Sequence, residues 1–203
     1  IEWDNVQFVV QLPSCTGYSF VANAGQAASD GGELQFTGLA VGGTGNANVA
    51  DDDARFTQTV YVPHPAGQAP PASALVDNKG DNLGIPDWTA NLGVQYDTRL
   101  LDYPVYLRAD YAYQGKYMRA TSRGTASFTA APFVTPNYIN GNETHIMNAR
   151  VGIYYKDLEI AGYVKNLFDS REWINQNQAN GNYFFTGNTV QPRIIGLQMN
   201  YRF

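Results

Sequence analysis

Residues 190–203 end in a strict alternation: Ile195, Leu197, Met199, Tyr201 and Phe203 are apolar or aromatic, while Gly196, Gln198, Asn200 and Arg202 between them are small or polar. A period of two puts successive side chains on opposite sides of an extended chain, so this segment predicts a strand with one apolar and one polar face. The pattern recurs upstream. Over 158–168, Leu158, Ile160, Gly162 and Val164 alternate with Glu159, Ala161, Tyr163 and Lys165. Over 146–155, Met147, Ala149, Val151, Ile153 and Tyr155 oppose Asn148, Arg150, Gly152 and Tyr154, and the short Lys156 and Asp157 link predicts a tight hairpin into the next strand. Val105, Leu107, Ala109, Tyr111 and Tyr113 oppose Arg108 and Asp110; Trp88, Ala90, Leu92, Val94 and Tyr96 oppose Thr89, Asn91, Gly93 and Gln95. Weaker β signals over 1–10, 21–40 and 44–59 add three strands, for a total of about eight. No window shows a 3.6-residue period, and glycine interrupts every candidate helix, so the chain is all-β.

Length and composition limit what such strands can build. At 203 residues the chain can bury a core without disulfides, and its one cysteine, Cys15, forms no internal disulfide framework or metal-ligand spacing. No run approaches the ~18 consecutive apolar residues of a spanning helix. A membrane β-barrel passes that test, because half of each strand is polar and the mean hydropathy of −0.32 hides the lipid-facing half. The formal net charge of −5 argues against nucleic acid, whose binders carry a clustered basic face. Residues 1–4 show neither a basic segment nor an apolar core nor a small-residue cleavage site, so either the protein is cytoplasmic or Ile1 is not the start of the gene product.

The connections alternate in length. Those at 101–104 and 156–157 are short, whereas 61–86, 119–145 and 170–189 are long and rich in Asn, Gly, Pro, Ser and Thr. Short turns at one end of a meander and long loops at the other are the pattern of an outer-membrane barrel; a soluble sandwich, the third option for this chain, has no reason to sort its loops by end. Trp88, Tyr96, Tyr103, Tyr111, Tyr113, Tyr155, Phe168, Tyr201 and Phe203 fall near predicted strand ends, where membrane-interface girdles lie.

Three strings are more specific. Val164-Lys165-Asn166-Leu167-Phe168-Asp169, then Gln191-Pro192-Arg193-Ile194-Ile195-Gly196-Leu197, and the terminal Tyr201-Arg202-Phe203 together resemble the last two strands of TonB-dependent outer-membrane receptors in wording, order and spacing. Ile1-Glu2-Trp3-Asp4-Asn5-Val6-Gln7 resembles an earlier strand of that family, Asn23-Ala24-Gly25-Gln26-Ala27 the strand after the next loop, and Pro13-Ser14-Cys15 lies in the loop between, where some members carry a similar Cys. The likeness is firm over 86–203 and loose over 1–60. The chain departs from it over 38–53, where Gly42-Gly43-Thr44-Gly45-Asn46 interrupts what is usually a longer hairpin and Asp51-Asp52-Asp53 is unusual.

The resemblance implies that 1–203 is the C-terminal portion of a receptor barrel of about 22 strands, with the plug domain, the energy-coupling motif and the earlier strands absent. It implies short turns on the periplasmic side, long loops outside, and a terminal Phe203 in the lower interface that also matches the signal read by the barrel-insertion machinery. The function expected is non-enzymatic import across the outer membrane of a scarce ligand of siderophore, cobalamin or glycan type. Its partners would be outer-membrane lipid, the plug and N-terminal strands of the same receptor, TonB acting through that N-terminal part, and a small-molecule or oligosaccharide ligand. The rival is a free-standing eight-stranded outer-membrane barrel with a structural, adhesion or lipid-modifying role, since eight strands close around their own side chains.

Candidate side chains follow from these placements. Arg108, Asp110, Arg150, Glu159, Lys165 and Arg202 fall on the polar faces of their strands; in a large barrel that face looks into a wet lumen, so a structural role in pairing with one another or with the plug is favoured over direct steering of substrate. Tyr117, Met118 and Arg119 at the top of one strand, Tyr138 in its loop, and Trp173, Tyr183, Phe184 and Phe185 in the last loop make a candidate ligand platform, with interface anchoring or loop packing as the simpler alternative. His64 and His145 read as exposed loop residues, because no carboxylate or Ser stands at a motif spacing to either. Asp51-Asp52-Asp53 lacks the Gly and terminal Glu of a calcium loop and reads as a solvated strand end. Asn142-Glu143-Thr144 matches a glycosylation sequon in spelling only. No catalytic residue, cofactor or metal site is expected.

Overall fold

The computed structural model describes residues 1–11, 19–23, 25–63, 73–121, 137–178 and 185–203. These residues are extended almost throughout, with no helix among them. The main element is an eight-stranded antiparallel sheet made by β1 (Glu2–Asp4), β4 (Gln26–Ala40), β5 (Gly43–Phe56), β8 (Trp88–Leu100), β9 (Tyr103–Gln114), β12 (Thr144–Tyr155), β13 (Leu158–Lys165) and β16 (Ile194–Tyr201), ordered in space as along the chain. The eight predicted strands are present, and the topology is a meander.

Turn chemistry sorts the connections. Three hairpins close at one end: Val41 and Gly42 between β4 and β5, Leu101 and Asp102 between β8 and β9, and Lys156 and Asp157 between β12 and β13. Leu101 and Asp102 both have positive φ, 48° and 68°, the left-handed pair that a two-residue type I′ turn needs to match strand twist. Every other link leaves from the opposite end, where Asp4 lies opposite Gln26, Asp51 opposite Trp88, Gln114 opposite Thr144 and Lys165 opposite Ile194.

Those links are more ordered than their composition suggests. β2 (Gln7–Gln11) pairs with β3 (Ser19–Asn23), and β6 (Val60–Pro63) with β7 (Ser73–Asp77). β10 (Tyr117–Thr121), β11 (Asn137–Gly141), β14 (Trp173–Gln178) and β15 (Phe185–Thr189) form a four-stranded sheet of their own. Two further expectations are corrected. The strand expected over 1–10 breaks at Asn5, whose φ of 59° turns the chain out of the main sheet. The glycines at 42–45 do not interrupt the β4–β5 hairpin, whose register runs unbroken from Ala27 opposite Phe56 to Ala40 opposite Gly43; Gly42, at φ 75°, supplies the turn.

The register divides the side chains of the sheet by face. One row runs Tyr96, Leu107, Val151, Gly162, Leu197 and the next runs Val94, Ala109, Ala149, Val164, Ile195. These apolar residues are uncovered, with Ile195 at 78% and Leu197 at 76% exposure. Among the described residues the buried apolar side chains are only Ala27, Ala54, Phe56, Tyr106, Ala161 and Val190. Among the described residues no second layer covers the aliphatic rows.

Candidate functional site

On the opposite face the charged residues meet. Arg150, on β12, stands in register with Arg108 of β9, a like-charge neighbour that destabilises a sheet unless each partner turns elsewhere. Each does. The Arg108 guanidinium grips Asp110 with Nη2 to Oδ1 at 2.7 Å and Nε to Oδ2 at 2.8 Å. Arg150 donates from Nη2 to Glu159 Oε1 at 3.0 Å, from Nη1 to Gln198 Oε1 at 2.8 Å and from Nε to the Tyr106 hydroxyl at 2.5 Å. The Tyr106 hydroxyl donates in turn to Glu159 Oε1, and Asn200 Nδ2 donates to Glu159 Oε2 at 2.9 Å. Tyr106 is 6% exposed because its ring lies across β12 over Gly152, where an added Cβ would overlap the ring. The glycine therefore sets the height of the phenol, and the phenol sets the guanidinium. Lys165 lies above the Tyr163 ring, its Nζ 6.0 Å from the ring centroid. Arg202, just past β16, donates its backbone N–H to the Asp157 carbonyl at 3.0 Å.

At the long-loop end the order β10-β11-β14-β15 brings together two members of the expected ligand platform. Tyr117 opens β10 and donates its hydroxyl to the Ile174 carbonyl of β14 at 3.1 Å. Trp173, the residue before Ile174, is 36% exposed, and its own carbonyl accepts the Asn142 N–H at 2.9 Å. Arg119 is registered opposite Ile139 and Tyr138 opposite Ala120. Tyr183 and Phe184 lie outside the described residues, as do Cys15 and His64.

The link from β13 to this sheet is held by a clamp built on Asn166 and Asp169, which the sequence marks only as part of a family-like string. Asn166, 4% exposed and at φ 51°, donates Nδ2 to the carbonyls of Ser170 at 2.9 Å and Gln191 at 2.8 Å, and accepts the Ser170 N–H on Oδ1 at 2.9 Å. Its own N–H reaches Asn148 Oδ1 at 3.0 Å. Asp169 accepts from Arg171 Nη2 at 3.0 Å and from the Arg193 N–H at 2.9 Å. Arg171 first, and the Arg193 amide second, hold the Asp169 carboxyl below its ordinary range against a smaller opposing effect of desolvation. A carboxylate depressed in the folded state stabilises the clamp above its unfolded pKa of about 3.9 and loses that contribution as pH falls through the lower folded value. The protection against hydrogen exchange around 166–193 that is lost in Asp169→Asn is therefore expected to be constant between pH 7 and pH 5 and to shrink below about pH 4. A wild-type advantage that persists undiminished in strong acid would contradict the assignment.

His145 differs from its expectation as a loop residue. It is the second residue of β12, on the aliphatic face; Nδ1 lies 2.7 Å from the Tyr111 hydroxyl and Nε2 3.0 Å from Glu143 Oε1, and its ring packs against Tyr113 at 5.2 Å between centroids. The carboxylate partner comes from two residues away, across the strand start, a spacing that no motif marks. In the acidic run Asp52 accepts from Ser29 Oγ at 2.5 Å and Asp53 pairs with Arg55, which also reaches Asp87. No group of three or more metal-ligating His, Cys, Asp or Glu side chains occurs among the described residues.

Compared with known proteins, the chain matches no family model, no curated protein and no solved structure.

Proposed function

We propose that this chain is the C-terminal portion of the barrel of a TonB-dependent outer-membrane receptor, which binds a scarce ligand at its long-loop end and imports it with TonB-derived energy. One observation carries the reading: a single sheet presents uncovered aliphatic rows on one face, bonded charges on the other, and aromatic clusters at both ends of the aliphatic band. At the long-loop end the cluster is Tyr111, Tyr113 and His145; at the short-turn end Tyr103 packs on Tyr155 at 5.6 Å and Tyr201 on Phe203 at 5.2 Å. The two ends of the band are ten residues apart on β12, from His145 to Tyr155. At ~3.3 Å per residue and a tilt of ~45° that distance projects to ~23 Å, close to the ~25 Å apolar band of outer-membrane barrels. Water is a poor neighbour for such a surface, and lipid is a good one.

The smaller free-standing barrel is disfavoured by pairing. Among the described residues the main sheet runs from β1 to β16 without joining the two, and each is bonded to one neighbour in it. Further strands on either side satisfy those edges in a large barrel. Expression of the full-length gene product in a Gram-negative host tests the reading. It is expected in the outer-membrane fraction, resistant to carbonate, with ligand uptake abolished in a strain lacking TonB. Recovery in a soluble fraction, or uptake that survives loss of TonB, overturns it.

A further inference from the structure

Strands β14 and β15 have no charged residue in eleven positions, yet they hold five amides (Asn175, Gln176, Asn177, Gln178, Asn188) and two aromatics (Trp173, Phe185). The chain as a whole is 15% charged, so this stretch is depleted of the groups that usually keep a surface loop soluble. A ferric complex or other anion is recognised by cations, and over the whole four-stranded loop sheet Arg119 is the one charged residue. Amides beside an exposed indole suit a different ligand. The carbonyl and NH2 of one amide can bond two neighbouring hydroxyls, and the negative face of an aromatic ring attracts the polarised C–H groups on a sugar face.

The geometry holds that indole ready. The register between β14 and β15 shifts between Trp173 and Asn175, leaving Trp173 opposite Thr189 and Gln176 opposite Gly187. This bulge brings the indole against Gly187, where an added Cβ would press on the ring at 3.0 Å and overlap the Asn175 carbonyl. The backbone under the ring is fixed on both sides, by the Asn142 N–H on the Trp173 carbonyl and by the Tyr117 hydroxyl on the Ile174 carbonyl. Gln176 continues the row across the sheet, opposite Asn140, which in turn lies opposite Met118. An aromatic plate on a rigid support binds with little ordering cost. Asn175, by contrast, is used internally, its Oδ1 accepting the Asn188 N–H at 3.1 Å.

We infer that the β14–β15 hairpin, with Trp173 as stacking plate and Gln176 as hydroxyl-binding amide, recognises a neutral oligosaccharide. This rests on the reading of the long-loop end as the ligand-facing end, and it narrows the ligand from three classes to one.

The test is binding by the full-length protein in detergent, measured by calorimetry against neutral hexasaccharides of glucose, xylose and mannose, an anionic uronate oligosaccharide, and a ferric catecholate complex. Binding of a neutral sugar, little changed between 50 and 500 mM salt, is expected, because ionic contacts are screened over that range and these are not ionic. Trp173→Ala is expected to weaken it about tenfold or more, Gln176→Ala by a smaller factor, and Trp173→Phe to retain part of it. Unchanged thermal unfolding certifies that each variant is folded. Salt-sensitive binding of the ferric complex alone, sugar binding indifferent to Trp173→Ala, or no binding of any neutral sugar overturns the inference. The two readings fail separately: TonB-dependent uptake of a ferric complex without sugar binding sinks this one alone, and Trp173-dependent sugar binding by a protein found outside the outer membrane sinks only the transport reading.

Discussion

Arginine placed at Leu197 or Val151 is expected to destabilise the inserted protein by about 2–4 kcal/mol, and arginine at Gln198 by less than about 1 kcal/mol. The three positions lie at nearly the same level of the sheet, with Val151 and Leu197 two strands apart, about 10 Å. Leu197 and Val151 both stand in register with Gly162, on the aliphatic face, while Gln198 stands opposite Ala161 and faces Arg150. Only the face differs. In the proposed bilayer setting a guanidinium at Leu197 or Val151 is carried into hydrocarbon or drags water and headgroups toward itself, whereas at Gln198 it joins a set of polar partners already present. A second arginine beside Arg150 adds some like-charge repulsion, which the nearby Glu159 carboxylate offsets. Reversible urea unfolding of the full-length protein in phospholipid vesicles measures the three costs on one scale. Equal costs at the two faces would sink the proposed membrane orientation, because a sheet wetted on both sides has no reason to distinguish them.

What could be read from the sequence was set by how strongly each segment's period was enforced. β8, β9, β12, β13 and β16 alternate because one face sheds water and the other keeps it, and a one-residue slip would exchange the two. Their pairing and facing follow from that alone. The small loop sheet has no such constraint. Asn-Tyr-Ile-Asn and Trp-Ile-Asn-Gln-Asn-Gln show no period of two in their polar and apolar residues, so their strands look like loops until backbone pairing is seen. The break at Asn5 is one left-handed residue inside an otherwise continuous β pattern, and periodicity does not register it. At 42–45 the signal runs the other way: glycine in a strand pattern reads as an interruption, although a Gly at φ 75° is what lets β4 reverse into β5. The platform residues divide similarly. Tyr117 reaches across β11 to the Ile174 carbonyl beside Trp173, a long-range fact that neither neighbourhood announces. Tyr106 does not read as a member of the charge network in the sequence, because an aromatic in a strand reads as a girdle or core residue, and only Gly152 across the ladder shows that its hydroxyl is carried to Arg150 and Glu159.

Replacing Asn166 by Ala is expected to cost about 3 kcal/mol, and replacing it by Gly about 1 kcal/mol less. Two effects add. The side chain makes three hydrogen bonds in a site only 4% exposed, two to the carbonyls of Ser170 and Gln191 and one from the Ser170 amide. Each is worth about 0.5–1.5 kcal/mol net, and removing the amide strands its partners away from water. The backbone adds the rest: φ at 51° is left-handed, tolerated by Asn and free for Gly, but costs Ala about 1–2 kcal/mol. Glycine therefore loses the bonds and keeps the turn, while alanine loses both. The consequence reaches the loop sheet, because Asn166 ties the end of β13 to Ser170, three residues before Trp173, and to Gln191, just past Val190. With every other tryptophan of the full-length protein changed to Phe, the emission of Trp173 reports on that region; in Asn166→Ala it is expected to shift to the red and to become more readily quenched by iodide, with the aliphatic face intact. Equal losses for Gly and Ala would show that the left-handed turn contributes nothing. A loss below about 1 kcal/mol for Ala would show that the three bonds are replaced by water, and the clamp would then be a crossing of strands without a lock.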